Sequence, residues 1–208
     1  RQFYLARKLD TLWVDTLQFF PFNDTTIDIS NGFFTKNKLE FYFSKCKKVE
    51  TTNLCHIYKS SFNGNVWSKP RKLDDPINLD EYTSRYPSIG KDDKGKELLY
   101  FISNRPGGMG GLDIWCAELD GKDGFKKAIN CGKLINSKQN EISPWFDAAT
   151  NSLYFSSDGQ AGYGGYDIFH TYGQKRNWTK PINIGGPFNS SADDLHYIQN
   201  EFDQKSGF

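Results

Sequence analysis

A repeat with a period of about 54 residues constrains the fold of this chain more than any other feature. Residues 100–115 read YFISNRPGGMGGLDIW, and residues 154–169 read YFSSDGQAGYGGYDIF, with no gap needed to match them. In both, an apolar run leads into a glycine-rich loop, an aspartate and a second apolar run. A degenerate copy lies upstream: residues 41–44 match the first run and 55–58 the second, with His56 in place of the aspartate.

A second repeating segment sets the same period. WSKP at 67–70 followed by PIN at 76–78 matches WTKP at 178–181 followed by PFN at 187–189. Residues 125–136 fill the same place in the intervening copy, and Trp13 with PFN at 21–23 forms a fourth. The unit of roughly 53–58 residues therefore recurs almost four times, as in propellers and solenoids.

Each unit contains four predicted strands, which in the clearest copy lie near 85–89, 98–103, 113–119 and 125–131. Turn signals separate them, and an aromatic content of 16% favours sheet over helix. Four antiparallel strands in a unit of this length form one propeller blade. We therefore predict an all-β chain, a β-propeller of four-stranded antiparallel blades, with units at 27–83, 84–140 and 141–193 and half-blades at 1–26 and 194–208. The two half-blades could merge into one blade and close a four-bladed ring. Alternatively, the chain is part of a larger propeller, and we favour this second interpretation.

Charge and cysteine content exclude several classes of function. Lysine and arginine number 26 against 25 acidic residues, so no field of one sign favours nucleic acid or an anionic membrane. No apolar run is long enough to predict a transmembrane segment. The four cysteines form no CxxC pair, and we expect no metal and no cofactor. Cys46 and Cys55 flank one predicted hairpin turn, and Cys116 and Cys131 another, so two disulfides and four free thiols are both open.

The string SNRPGGMGGLDIW at 103–115, with YPS at 86–88 and DDKG at 92–95, resembles the TolB-type (WD-like) propeller repeat. The resemblance covers about residues 27–198 and is most similar to repeats in envelope proteins of Bacteroidota, including OmpA-family and type IX secretion-associated proteins. It implies a non-enzymatic protein-interaction scaffold in the periplasm or at the outer membrane. The implied partners are outer-membrane or secretion components, and peptidoglycan through a flanking domain. The first unit departs from the pattern, because it lacks the glycine loop and the aspartate.

Two sets of loops share one face of a propeller: those between second and third strands, and those leading into each first strand. Exposed aromatic and arginine residues are the usual anchors of protein interfaces. We predict a binding face that includes Asn104, Arg105, Met109, Asp158, Tyr163, Tyr82, Arg85, Glu141, Asp193, Asp194 and His196.

Several conspicuous residues have structural explanations. The glycine loops at 107–111 and 162–165 precede no helix, so they are interpreted as turns with positive φ rather than phosphate sites. Asp113 and Asp167 follow these loops and are expected to accept hydrogen bonds from loop N–H groups. Arg105 either pairs with a neighbouring blade or contacts a ligand. The three histidines are expected to be structural, although His196 lies close enough to the axis to face a ligand.

The enzymatic alternative uses two carboxylates on the same face. Propeller glycosidases place an acid and a nucleophile or base near the central channel, and Glu141 and Asp194 would be the pair. Residues that recur at equivalent positions usually serve the blade, so we predict no catalytic residues and no enzyme. Glycan or peptidoglycan binding through exposed aromatic residues is a further alternative.

Overall fold

A computed structural model describes residues 3, 5–9, 12–16, 23, 27–121 and 124–199. The first two strands, β1 and β2, form an antiparallel hairpin (Leu5–Leu9 and Leu12–Thr16). The next four strands form the antiparallel sheet of blade 1: β3 (Asp28–Phe34), β4 (Glu40–Val49), β5 (Thr52–Ser61) and β6 (Arg71–Lys72).

Two further sheets follow with the same strand order. Blade 2 contains β7 (Ser84–Lys91), β8 (Glu97–Ser103), β9 (Asp113–Glu118) and β10 (Ile129–Asn130). Blade 3 contains β11 (Glu141–Asp147), β12 (Ser152–Ser157) and β13 (Asp167–Gln174), and β13 pairs with both β14 (Asn177–Trp178) and β15 (Ile182–Asn183). No helix occurs in the described ranges, and the prediction of an all-β propeller with four-stranded antiparallel blades is confirmed.

The strand register corrects the alignment of the degenerate copy by one residue. Tyr100 lies opposite Cys116, and Tyr154 lies opposite His170. The residue of blade 1 in that position is Tyr42 rather than Phe41. All three tyrosines therefore occupy the same place in the second strand of their blades.

The blades are held together by apolar layers between neighbouring sheets. Ile57 and Ile77 of blade 1 are fully buried with Phe101 of blade 2 in one cluster. In the next layer, the Tyr100 ring stacks on Phe146 of blade 3, with 5.0 Å between ring centroids. Full burial of one such side chain contributes about 1.5–3 kcal/mol, so these layers are the main source of stability.

A buried asparagine connects the end of each blade to its own third strand. Asn136 Oδ1 accepts a hydrogen bond from Ile114 N (2.8 Å), and Asn136 Nδ2 donates to Ile114 O (2.9 Å). The same two bonds join Asn78 to Ile57, Asn189 to Ile168 and Asn23 to Phe3. The following segment supplies a backbone donor to the same carbonyl, as Cys131 N does to Ile114 O (3.0 Å), and the amide oxygen satisfies the N–H of the third strand.

Candidate functional site

The two sets of loops predicted to share a face do contact each other. Gly111 N donates to Gln139 O (2.8 Å), and Leu112 N donates to Asn140 Oδ1 (3.1 Å), which joins the glycine loop of blade 2 to the loop leading into blade 3. A Cβ atom at Gly110 would overlap the Gln139 carbonyl oxygen. Gly107 has the expected positive φ of 87°, but Gly110 is required for close approach of two backbones.

The aspartates after the glycine loops have the structural role expected of them. Asp113 Oδ2 accepts a hydrogen bond from Met109 N (2.5 Å), and Asp167 Oδ2 accepts from Tyr163 N (2.9 Å). Burial raises the pKa of Asp113, and the hydrogen bonds from the loop partly offset that effect. The side chains of Met109 and Tyr163 remain exposed at the two loop tips, at 45% and 67% of their surface.

Arg105 is buried, which corrects its placement among the exposed residues of the binding face. Its guanidinium donates to the carbonyl oxygens of Pro76 (2.5 Å) and Ile77 and to Ser84 Oγ (3.1 Å), and it lies over the Phe101 ring. Burial lowers its pKa to about 10. Arg105 therefore connects blade 2 to the loop that precedes it and is not available to a ligand.

The other polar residues of the predicted face mostly hold the inter-blade loops. Asn104 Oδ1 accepts from Thr83 N (2.9 Å), and Asp158 Oδ1 accepts from Asn140 N (2.6 Å), in equivalent positions. Asp193 Oδ1 accepts from the next glycine loop at Tyr166 N (3.0 Å). Tyr82 and Arg85 are half-buried.

Glu141 and Asp194 are also held by their own loops. Glu141 is fully buried and accepts hydrogen bonds from Ser137 N (2.9 Å), Ser137 Oγ (2.6 Å) and Ser157 Oγ (2.9 Å). Asp194 accepts from Ser190 N (2.7 Å) and Ser190 Oγ (3.2 Å). Burial raises the pKa of Glu141, while its serine donors act in the opposite direction. The two carboxylates thus perform the same structural task in successive repeats.

One of the two candidate disulfides is present. Cys46 and Cys55 lie opposite each other on β4 and β5 and are bonded. Cys116 and Cys131 are free and buried, so the prediction of a second disulfide is wrong. Cys116 lies opposite Ile129, two residues before Cys131, and the cysteines are therefore offset along their strands. Burial and a hydrogen bond to Cys116 raise the pKa of the Cys131 thiol.

His56 and His170 pack within the blades. His56 Nε2 lies 3.4 Å from Leu79 O, and His170 stacks on the Tyr154 ring at 4.5 Å between centroids. Burial lowers the pKa of both imidazoles. His196 differs, because it is exposed and lies near the axis, at the site described next.

Bulges at the same place in three innermost strands, together with the segment at 196–198, form a pocket on the propeller axis. Asn31, Tyr86, Ser143 and His196 all have positive φ, of 55°, 57°, 52° and 65°. The strand register shifts at the first three, as expected for β-bulges. These four residues line one cavity of about 110 Å³, which we call the axial pocket.

The lining of the axial pocket combines aromatic and polar side chains. Tyr86, Trp145 and Tyr197 contribute rings, and Ser143 Oγ lies 3.4 Å from His196 Nδ1. The remaining lining residues are Asn31, Gly32, Phe33, Pro87, Pro144, His196 and Ile198. Ligand sites are typically concave and largely apolar with a few polar groups, and this pocket has that character.

Sequence reasoning placed only His196 near this site. The available signal was a proline within the first strand of two repeats, at Pro87 and Pro144, because proline inside a strand marks a bulge. No group of three or more His, Cys, Asp or Glu side chains that could hold a metal occurs in the part of the chain that the structure describes. Within the same ranges, no helix has the length and apolar character needed to cross a membrane.

Several solved structures are similar to this chain, among them the following three. A protein of unknown function from Dyadobacter fermentans has a TM-score of 0.54 at 14% identity, over 90% of this chain and 53% of its own. An α-L-arabinofuranosidase from Lactobacillus brevis has a TM-score of 0.55 at 11% identity, over 82% of this chain and 60% of its own. A family 117 glycoside hydrolase from Zobellia galactanivorans has a TM-score of 0.53 at 15% identity, over 95% of this chain and 65% of its own.

These likenesses support the propeller fold, and the chain spans 53% to 65% of the length of each structure. They also correct the expectation that this chain is not an enzyme, because two of the three similar structures are glycoside hydrolases. No family model and no curated protein matches the sequence. The TolB-type family therefore stays a prediction.

Proposed function

We propose that this chain is a carbohydrate-recognising propeller that receives a sugar in its axial pocket. The observation that carries the proposal is the lining itself. The rings of Tyr86, Trp145 and Tyr197 offer apolar surfaces for the C–H faces of a sugar, and Asn31 and Ser143 offer hydrogen-bonding groups for its hydroxyls. A cavity of about 110 Å³ suits one end of a glycan rather than a whole chain.

Two further observations support this proposal over the scaffold hypothesis. Two of the similar propellers are named as a glycoside hydrolase and an arabinofuranosidase, names that refer to sugar substrates. On the predicted protein-binding face, in contrast, Arg105 is buried, and most of the other polar groups make hydrogen bonds within the loops. Its exposed anchors are Met109 and Tyr163.

Glycoside hydrolysis usually requires two carboxyl groups beside the bond to be cleaved. Glu141 and Asp194, the predicted pair, accept hydrogen bonds from serines of their own loops. Among the described residues, the pocket lining contains no aspartate or glutamate. The lining thus provides stacking and hydrogen bonding, and cleavage is measured directly in the experiment below.

An envelope location also remains a proposal. The disulfide between Cys46 and Cys55 supports it, because disulfides persist in the periplasm and outside the cell rather than in the cytosol. Peptidoglycan fragments therefore belong among the first glycans to test. Outer-membrane and secretion components stay as predicted partners.

The test is calorimetric titration of the chain with a panel of oligosaccharides, with reducing ends assayed after incubation. Replacing Trp145 by alanine should weaken binding about tenfold or more, as for a buried aromatic anchor. Tyr163→Ala is the matched control, since Tyr163 is an exposed aromatic on the loop face. Near-ultraviolet circular dichroism checks that each variant is folded. Loss of binding in Tyr163→Ala alone would move the site to the loop face, and failure of every glycan to bind would refute the proposal.

A further inference from the structure

Blade 1 carries a hairpin that the other blades do not have. Its strands β4 and β5 are ten residues long and meet at a turn at residues 50–51. In blades 2 and 3, the second strand ends where the glycine loop begins, at Ser103 and Ser157. The extra length of blade 1 is crosslinked by the bond between Cys46 and Cys55. We call residues 45–56 the basic hairpin.

The positive charge on this hairpin is concentrated on three lysines, of which Lys45 places its ammonium over the Tyr58 and Phe43 rings, at 5.2 and 6.0 Å from the ring centroids. Lys45, Lys47 and Lys48 lie on one strand, and the residues opposite them are His56, Leu54 and Asn53, none of which is acidic. Lys47 and Lys48 are exposed. Among the described residues, no ion pair within 4.0 Å involves any of the three lysines.

The charge is also a local feature of the chain. The net charge of the whole sequence is +1, so three lysines within four positions stand out from a balanced surface. Burial and then the charge of Lys72 lower the pKa of His56, with a smaller effect of Lys47, while the Leu79 carbonyl and Asp80 act in the opposite direction. Leaving like charges close together costs free energy, and an anionic ligand would relieve that repulsion.

The base of the basic hairpin joins the wall of the axial pocket. Tyr86 N, in the pocket, donates a hydrogen bond to Ser44 Oγ (3.2 Å), and Lys45 is the next residue along β4. At about 3.3 Å per residue, the lysines begin within about 10 Å of that contact along the strand. A ligand that extends from the pocket by a few sugar units can therefore reach them.

We propose that the basic hairpin binds carboxylate or sulfate groups of an acidic glycan whose neighbouring sugar occupies the axial pocket. This inference rests on the proposed carbohydrate function and names its ligand class. The disulfide holds the two strands in register, so that the lysines lose less conformational freedom when they bind. Because Lys47 and Lys48 are exposed, their attraction for the glycan is screened by salt.

The experiment compares two probes that share one backbone: an oligogalacturonide and its fully methyl-esterified, neutral form. The wild-type chain should bind the acidic form more tightly, and that preference should shrink as salt rises. Changing Lys47 and Lys48 together to glutamine should weaken binding of the acidic form about tenfold and leave the neutral form unchanged. The control variant replaces Lys127 and Lys180, which are exposed on other blades, by glutamine.

The outcomes separate the two proposals. Equal affinity for both forms, with binding still lost in Trp145→Ala, overturns the role of the hairpin and keeps the axial pocket. Binding of the acidic form that depends on the lysines but is unchanged in Trp145→Ala, and is matched by inorganic polyphosphate, overturns the shared site. Equal weakening of acidic-glycan binding in the control variant also overturns the role of the hairpin. If neither form binds while another glycan of the panel does, the role of the hairpin fails and the axial pocket stands. A variant with Cys46 and Cys55 changed to serine should lose part of the preference for the acidic form and retain binding of the neutral one.

Discussion

Removal of one buried asparagine should measure how much the repeated asparagine contacts contribute to the fold. Asn136 is 2% exposed and makes three hydrogen bonds through its side chain: two with Ile114 and one with Asn130 Oδ1 (2.9 Å). Asn136→Ala leaves Ile114 N buried without a partner, whereas Ile114 O keeps the bond from Cys131 N (3.0 Å) and Asn130 Oδ1 keeps the bond from Gly132 N (2.9 Å). The one unsatisfied N–H costs about 1–3 kcal/mol, and the loss of the other two hydrogen bonds adds about 0.5–1.5 kcal/mol each, part of which relaxation of the site recovers. We expect a loss of about 3 kcal/mol in the free energy of unfolding.

The assay is urea unfolding followed by tryptophan fluorescence, together with thermal unfolding. A loss of about 3 kcal/mol corresponds to a fall of about 6–12 °C in melting temperature for a chain of this length. Asn65→Ala is the control, because Asn65 is exposed and its side chain makes no hydrogen bond among the described contacts. A loss below about 0.5 kcal/mol in Asn136→Ala, or an equal loss in the control, would refute the argument that these amides hold the third strands.

Three further predictions concern other parts of the structure. Gly110→Ala should lower the free energy of unfolding by about 2 kcal/mol through overlap with the neighbouring backbone, whereas Met109→Ala beside it should be nearly neutral in the same urea assay. Because burial raises the folded-state pKa of Glu141 above its ordinary 4.5, the contribution of that carboxyl to stability should be full below that value and decline as pH rises through the folded-state pKa. Urea midpoints measured from about pH 4 to pH 8 should therefore fall less in Glu141→Gln than in the wild type, and parallel curves would contradict this. The thiols of Cys116 and Cys131 should react with a thiol reagent only after denaturation, giving two free thiols before reduction and four after it.

The propeller fold was predictable because its signals are local and repeated. Blades 2 and 3 carry the same glycine loop and the same aspartate, so a match between 100–115 and 154–169 is sufficient to place two strands and the loop between them. The loop contacts of Asp113 and Asp167 followed from the same match. Cys46–Cys55 and Cys116–Cys131 were both candidate disulfides, and only the strand register distinguishes the pair that is bonded from the pair that is free.

The errors concern side chains whose environment depends on packing between blades. Arginine is a typical interface anchor, but the guanidinium of Arg105 is buried and donates to the carbonyl oxygens of Pro76 and Ile77. These residues lie 29 and 28 positions earlier in the chain. The offset of Cys116 and Cys131 depends on where β10 begins, which turn residues alone do not determine. The axial pocket requires three distant strands and the segment at 196–198 to meet, and one repeat contains only a part of it.

Comparison of equivalent positions distinguishes residues that build the propeller from residues free to bind a ligand. Where the structural task is the same in each blade, the side chain is the same, as for Asn78, Asn136 and Asn189. At the axial bulge the backbone conformation is shared, but the side chains are asparagine, tyrosine, serine and histidine. The fold needs the positive φ at this position and does not require any one of these side chains. Because four unlike groups converge on one cavity, the axial pocket has the singular arrangement that specific recognition requires and that repetition alone cannot supply.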